Sequence, residues 1–252
     1  MKPIHSLSIM AAVVALLAVS APAVHASKTD SRIEGAAKQS HVFKTYLKGD
    51  DIKVKSKDGA VTLTGEVLDE SHLRLAQETV AGLPNVKSVD NRLKVKAETP
   101  SKTPDAWTLA KVKSTLLFHR SVSAATTEVD VKDGMVTLRG SAANQAQKDL
   151  TSEYVRDVEG VKEVKNEMTV SQSPKKTKTV GKKIDDASIT AQVKMTLLYH
   201  RSTSALKTKI ETDHGVVSMY GKAKDTAEKE LAAKLAGDVN GVKGVNNRMT
   251  VE

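Results

Sequence analysis

Apolar and polar residues alternate along residues 133–142 (DGMVTLRGSA). Val136, Leu138, Gly140 and Ala142 share one phase, and Thr137, Arg139 and Ser141 the other. A period of two predicts a strand with one buried face. The same phase recurs at Val61, Leu63, Gly65 and Val67, and at Val217, Met219, Gly221 and Ala223. From Gly65 to Gly140 is 75 residues and from Gly140 to Gly221 is 81; Asn91, Asn166 and Asn247 step by the same two intervals. One module is therefore written three times, with six extra residues between the second and third copies.

Each module opens with a helix. Ala106, Ala110, Val112, Leu116 and Leu117 match Ala187, Ala191, Val193, Leu197 and Leu198, and their spacing predicts one apolar stripe. Asp105, and Asp185 or Asp186, stand where an N-cap belongs. The first copy has only Ile33, Ala37 and Val42 in support. A short strand follows (Val54; Val129 and Val131; Ile210), then Asp58-Gly59, Asp133-Gly134 or His214-Gly215, a hairpin signal because both residues accept positive φ. The glycine strand comes next. A second helix carries Leu75, Thr79, Val80 and Leu83, or Leu150, Tyr154, Val155 and Val158, or Leu231, Leu235, Ala236 and Val239. Val164, Asn166, Met168 and Val170 mark the last strand.

The expected fold class is α+β: three tandem α-β-β-α-β modules, each a three-stranded mixed sheet covered by two helices. The crossover through the second helix makes the glycine strand and the last strand parallel. Gly65, Gly140 and Gly221 are expected to be structural, facing the core where a helix lies close against the sheet. Asn91, Asn166 and Asn247 lie in the apolar phase, so their amides should tie the last strand or the preceding loop to neighbouring backbone.

Composition sharpens the picture. Hydrophobic residues make up 39% and aromatics 3% of the 252 residues, which suits several small aliphatic cores better than one large core. The absence of cysteine excludes disulfides, thiol catalysis and zinc–cysteine sites. Lys2, the apolar run 9–19 and the small-residue site Val24-His25-Ala26 read as a secretory signal over residues 1–26, with Ala21-Pro22-Ala23 as an alternative cut. The run is too short to span a membrane, so a periplasmic chain with no transmembrane segment after cleavage is expected. The domain reading is a signal at 1–26, modules at 29–97, 104–171 and 184–252, and a basic linker at 172–183. Modules so divided should be separable, and 184–252 should fold alone.

Candidate chemistry is sparse. His119-Arg120 and His200-Arg201 occupy equivalent helix ends, where cations are favourable. A metal site needs three or four converging ligands, and neither pair has them in sequence. No catalytic residue, cofactor site or metal site is predicted. The net charge is +9, and the excess concentrates in Lys175, Lys176, Lys178, Lys182 and Lys183. With Arg120 and Arg201 these are candidate contacts to an anionic surface. Nucleic acid fits the charge, yet export and the shortage of stacking aromatics argue against it.

The D-G-x-V-x-L-x-G strand, the ending that in the second copy reads GVKEVKNEMTV, and the preceding helix resemble the BON domain family in all three copies. A signal peptide followed by tandem copies, with no cysteine for a lipid anchor, is similar to two-domain exported members; the third copy is a departure. The resemblance implies no enzyme. It implies binding to phospholipid membranes or envelope proteins, with roles in envelope integrity and osmotic stress. The alternative is a periplasmic chaperone-like stress protein that holds unfolded exported proteins, which requires an exposed apolar patch.

Overall fold

The computed structural model describes residues 28–96, 103–171, 183–203 and 207–252. The first module comprises α1 (Lys28–Gln39), α2 (His41–Thr45), β1 (Asp51–Lys57), β2 (Ala60–Val67), α3 (Glu70–Ala81) and β3 (Ser88–Val95). The second comprises α4 (Pro104–Phe118), β4 (Thr127–Lys132), β5 (Met135–Ala142), α5 (Gln145–Arg156), β6 (Glu163–Asn166) and β7 (Thr169–Val170). The third comprises α6 (Asp186–Tyr199), β8 (Thr208–Asp213), β9 (Val216–Ala223), α7 (Thr226–Asp238), β10 (Gly244–Asn247) and β11 (Thr250–Val251).

The glycine strand is central in every sheet. β2 runs antiparallel to β1 and parallel to β3, and β5 and β9 have the same neighbours. The fold is thus α+β with mixed sheets, as the alternation predicts. In the second and third modules the last strand divides in two, both pieces parallel to the same neighbour. At the break the amide oxygens of Asn166 and Asn247 accept from the backbone N–H of Met168 (3.0 Å) and Met249 (3.1 Å).

The hairpins close as the turn residues dictate. Asp58, Asp133 and His214 have φ of 53°, 54° and 50°, each followed by a glycine near 83°. A carboxylate from the first helix clamps each turn. Asp30 accepts from the N–H of Asp58 and Gly59, Asp105 from Asp133 and Gly134, and Asp186 from His214 and Gly215. This revises one cap assignment and decides the other: Thr103 and not Asp105 caps α4, and of the two candidates Asp185 caps α6, leaving Asp105 and Asp186 for the turns.

The glycines also differ from expectation. Gly65, Gly140 and Gly221 have φ of 120°, 111° and 137°. A Cβ at Gly65 or Gly140 would fall on the carbonyl oxygen of Asp51 or Thr126, at the start of the antiparallel neighbour, and at Gly221 on that of Lys207. The close partner is therefore the adjacent strand's backbone and not a helix.

The modules do not hang separately. Helix α6 is buried nearly all round: Ile189, Val193 and Leu197 fill its own module's core, while Ala187, Ala191, Met195 and Tyr199 join Phe118 in the core of the first module. A helix with apolar residues on opposite faces sits inside a fold, and this replaces the single stripe expected from sequence. The Tyr199 hydroxyl donates to Ser71 Oγ (2.9 Å), and Lys194 pairs with Glu78 (2.8 Å). The N–H groups of His41 and Val42 at the start of α2 donate to Asp185 (2.7 Å) and Ser188 (3.1 Å). The expectation of freely separable modules is corrected accordingly.

Candidate functional site at a pseudo-twofold seam

Helices α4 and α6 end at Phe118 and Tyr199, and the C-caps His119 and His200 turn to extended backbone, ψ 132° and 126°. Each then pairs antiparallel with the other module's second helix end: His119 with Val239, His200 with Val158. Further bonds follow the same reciprocity. Arg120 N–H donates to Asp238 O (3.0 Å) and Arg201 N–H to Asp157 O (2.8 Å). Asn240 N–H donates to Phe118 O and Glu159 N–H to Tyr199 O, both at 2.8 Å. Each pair is its counterpart displaced by the 81-residue repeat, the arrangement of an isologous dimer made within one chain.

Arg120 and Arg201 belong to this seam. The Arg120 guanidinium donates to Gly237 O, and that of Arg201 to Arg156 O and to Val161 O (3.0 Å). Their donors are directed at main-chain carbonyls of the neighbouring module, which gives both a joining role at the seam. Lys183 is exposed ahead of α6. Lys175, Lys176, Lys178 and Lys182, like the signal segment, lie outside the described residues.

Within the seam is a cavity of about 10 Å³, lined by His119, Tyr154, Asp157, His200 and Leu235 among others. That is room for about one water. On one side the buried His119 ring lies 4.2 Å from the Tyr154 ring, and its Nδ1 is 3.3 Å from Asp238 Oδ2, off the hydrogen-bond line. The Tyr154 hydroxyl donates to Asp238 Oδ2 (2.6 Å), and the Ser121 hydroxyl donates to Oδ1. Burial would raise the Asp238 pKa, but His119, Ser121 and Tyr154 outweigh it and hold the carboxyl below its usual range. Burial, with the Asp238 bond, pushes the Tyr154 phenol up. On the other side Leu235 stands where Tyr154 would, and His200 Nε2 is 3.7 Å from Asp157. Burial lowers the His200 pKa; Asp157 opposes this, while Arg201 and His119 add to it.

The sequence hid this cluster because each His-Arg pair reads alone as a solvated helix end. The available signal was their repetition at matched positions in the second and third copies and absence from the first, as expected of a pairwise joint. Among the described residues no group of three His, Asp or Glu side chains is placed to hold a metal. None of the described helices is long and apolar enough to cross a membrane.

The asparagines fix sheet to helix. Asn91, Asn166 and Asn247 are half-buried, and their amides donate to Leu73 O (3.3 Å), Lys148 O (2.9 Å) and Lys229 O (2.7 Å) in the second helix of their own modules. Between α3 and α6 an open groove of about 350 Å³ is flanked by Glu70, Arg74, Glu78 and Lys194, charges that pair among themselves. The faces of the sheets away from the helices stay open, and the alternate residues Lys53, Lys55, Lys57, Arg92 and Lys94 of β1 and β3 are exposed there.

The sequence model of the BON domain matches residues 29–97, 104–172 and 185–252. The chain is 32% identical to Osmotically-inducible protein Y of Escherichia coli over 143 residues, 55% of this chain and 71% of that protein. It is 34% identical to Outer membrane lipoprotein DolP of Haemophilus influenzae over 113 residues, 45% of this chain and 56% of that one. Among solved structures, CdsD of the Type III secretion system of Chlamydia trachomatis aligns over 87% of this chain and 90% of its own, at 14% identity and a TM-score of 0.25, too low to bear on fold or function.

Proposed function

Because the chain belongs to the BON domain family through all three modules, we propose that it is a non-enzymatic periplasmic protein that binds anionic phospholipid at the bacterial envelope and protects it under osmotic stress. The names of the two relatives, one osmotically inducible and one an outer membrane lipoprotein, support an envelope setting. The observation that carries the reading is where the positive charge sits. Exposed lysines and arginines line the open faces of the first and third sheets, Lys53, Lys55, Lys57, Arg92 and Lys94 in the first and Lys209, Lys222 and Arg248 in the third, in a chain with net charge +9. Lys175, Lys176, Lys178, Lys182 and Lys183 add cations at the join before the third module. Each cation near an anionic bilayer contributes roughly 1 kcal/mol.

Co-sedimentation of the protein with phosphatidylglycerol-containing and pure phosphatidylcholine vesicles, over a salt series, tests this. Binding to the anionic vesicles at low salt should weaken as the screening length shortens to about 8 Å at physiological ionic strength. Absence of binding at low salt overturns the reading. Suppression of aggregation of an unfolded client in that case would identify the protein as a chaperone instead.

A further inference from the structure

The repeat places three outward residues side by side across each sheet, and their chemistry differs from module to module. In the first module the row is Lys53, Thr64 and Arg92; in the second Glu128, Arg139 and Glu167; in the third Lys209, Tyr220 and Arg248. The second row neutralises itself, with Arg139 at 3.0 Å from Glu167. In the first, Arg92 is held by Asp90 at 2.7 Å. The third row is unlike both. Lys209 Nζ and the Arg248 guanidinium each sit 5.9 Å from the centre of the Tyr220 ring, one on either flank.

The next outward position on β9 is Lys222, also exposed. Neither Lys222 nor Arg248 has a carboxylate within 4.0 Å among the described residues, whereas Lys209 is paired with Glu211 at 2.7 Å. Glu211 and Asp213 lie further along β8 toward the hairpin, so this face is cationic at one end and acidic at the other. Neighbouring strands are about 4.8 Å apart, which spreads the cations over roughly 10 Å of a flat, open surface. A small anion would find no enclosure there. A plane of many anionic headgroups matches both the spread of charge and the half-buried tyrosine, a side chain favoured where apolar and wet phases meet.

We propose that this end of the third sheet, formed by Lys209, Tyr220, Lys222 and Arg248, is the face that docks on an anionic phospholipid bilayer. The inference rests on the lipid reading above and assigns it to one module. The other two sheets serve as internal controls on the same scaffold: the second row neutralises itself, and the first holds Arg92 on Asp90 and has Thr64 in place of the tyrosine.

The test compares the whole wild-type chain with three variants of it by co-sedimentation on vesicles of phosphatidylglycerol and phosphatidylethanolamine, with folding checked by thermal melts. Lys209→Gln/Lys222→Gln/Arg248→Gln should weaken binding on the order of 10- to 100-fold. Lys53→Gln/Lys55→Gln/Lys57→Gln, with the same loss of charge, should weaken it less than about threefold if net charge acts only at long range. Tyr220→Thr, which installs the first module's residue, should weaken binding to anionic vesicles without altering the melt. If wild type binds and the third-module variants bind equally well, or the first-module control falls as far, this face is wrong while lipid binding stands. If wild type does not bind at low salt, both fall.

Discussion

The Tyr154 hydroxyl of the second module donates a 2.6 Å hydrogen bond to Asp238 of the third. The equivalent position across the pseudo-twofold is Leu235, so the bond exists on only one side of an otherwise reciprocal seam. A hydrogen bond to a charged group contributes about 1.5–3 kcal/mol. Tyr154→Phe and Asp238→Asn should each destabilise the chain, and a double-mutant cycle by denaturant melts should give a coupling of about 1 kcal/mol or more. Additive losses would mean that the two groups act separately.

The histidines should give opposite pH signatures. His200 in the folded chain releases its proton more readily than an unfolded histidine, whose pKa is about 6.5. Its contribution is complete above about pH 6.5 and is lost as pH falls below that value. For His72, burial lowers the pKa, but the 2.6 Å contact with Asp50 and the charges of Asp69 and Asp50 raise it overall. That contribution is complete below about pH 6.5 and is lost as pH rises through the folded value. Melts at pH 7.5 and 5.5 should show a smaller acid loss in His200→Gln than in wild type, and a larger one in His72→Gln. Identical slopes in all three would remove both assignments.

Gly140→Ala should cost about 2 kcal/mol or more, because the new Cβ meets the Thr126 carbonyl at a φ that L side chains rarely adopt. Chemical denaturation measures this directly, and an unchanged midpoint would show that the strand can shift without cost.

Tyr199 links the first and third modules, its ring 1% exposed and its hydroxyl on Ser71. Tyr199→Phe should lose roughly 1 kcal/mol and Tyr199→Ala about 3–5 kcal/mol. A fragment spanning 184–252 uncovers Ala187, Ala191, Met195 and Tyr199, all at 7% exposure or less in the whole chain. It should melt broadly or aggregate; a sharp cooperative melt would show that the third module is independent.

The strands and turns were legible because alternation and Asp-Gly or His-Gly pairs are local signals that local geometry obeys. Gly140 shows the limit: its need for a special backbone could be anticipated, but the partner at Thr126 depends on strand pairing. Helix α6 shows a second. Choosing Ala187, Ala191, Val193, Leu197 and Leu198 yields one stripe, yet Ile189, Met195 and Tyr199 are as apolar and lie outside it. With one acid and one lysine in 14 residues, DASITAQVKMTLLY already carried the composition of a helix buried on several sides. Which modules bury it is a long-range fact that no spacing encodes. The seam escaped for the same reason, since His119 and Val239 are neighbours only after two modules have folded.

The two halves of the seam are carried on one polypeptide, which sets how the joint responds to dilution. A dimer of separate subunits falls apart as its concentration drops, and its stability cannot be stated without one. Here each half meets the other at a fixed effective concentration set by the connecting chain. His119 therefore faces Val239 as surely in a cell holding a few copies as in one holding thousands. Expression level can change how many such joints exist, but not what fraction of them is closed.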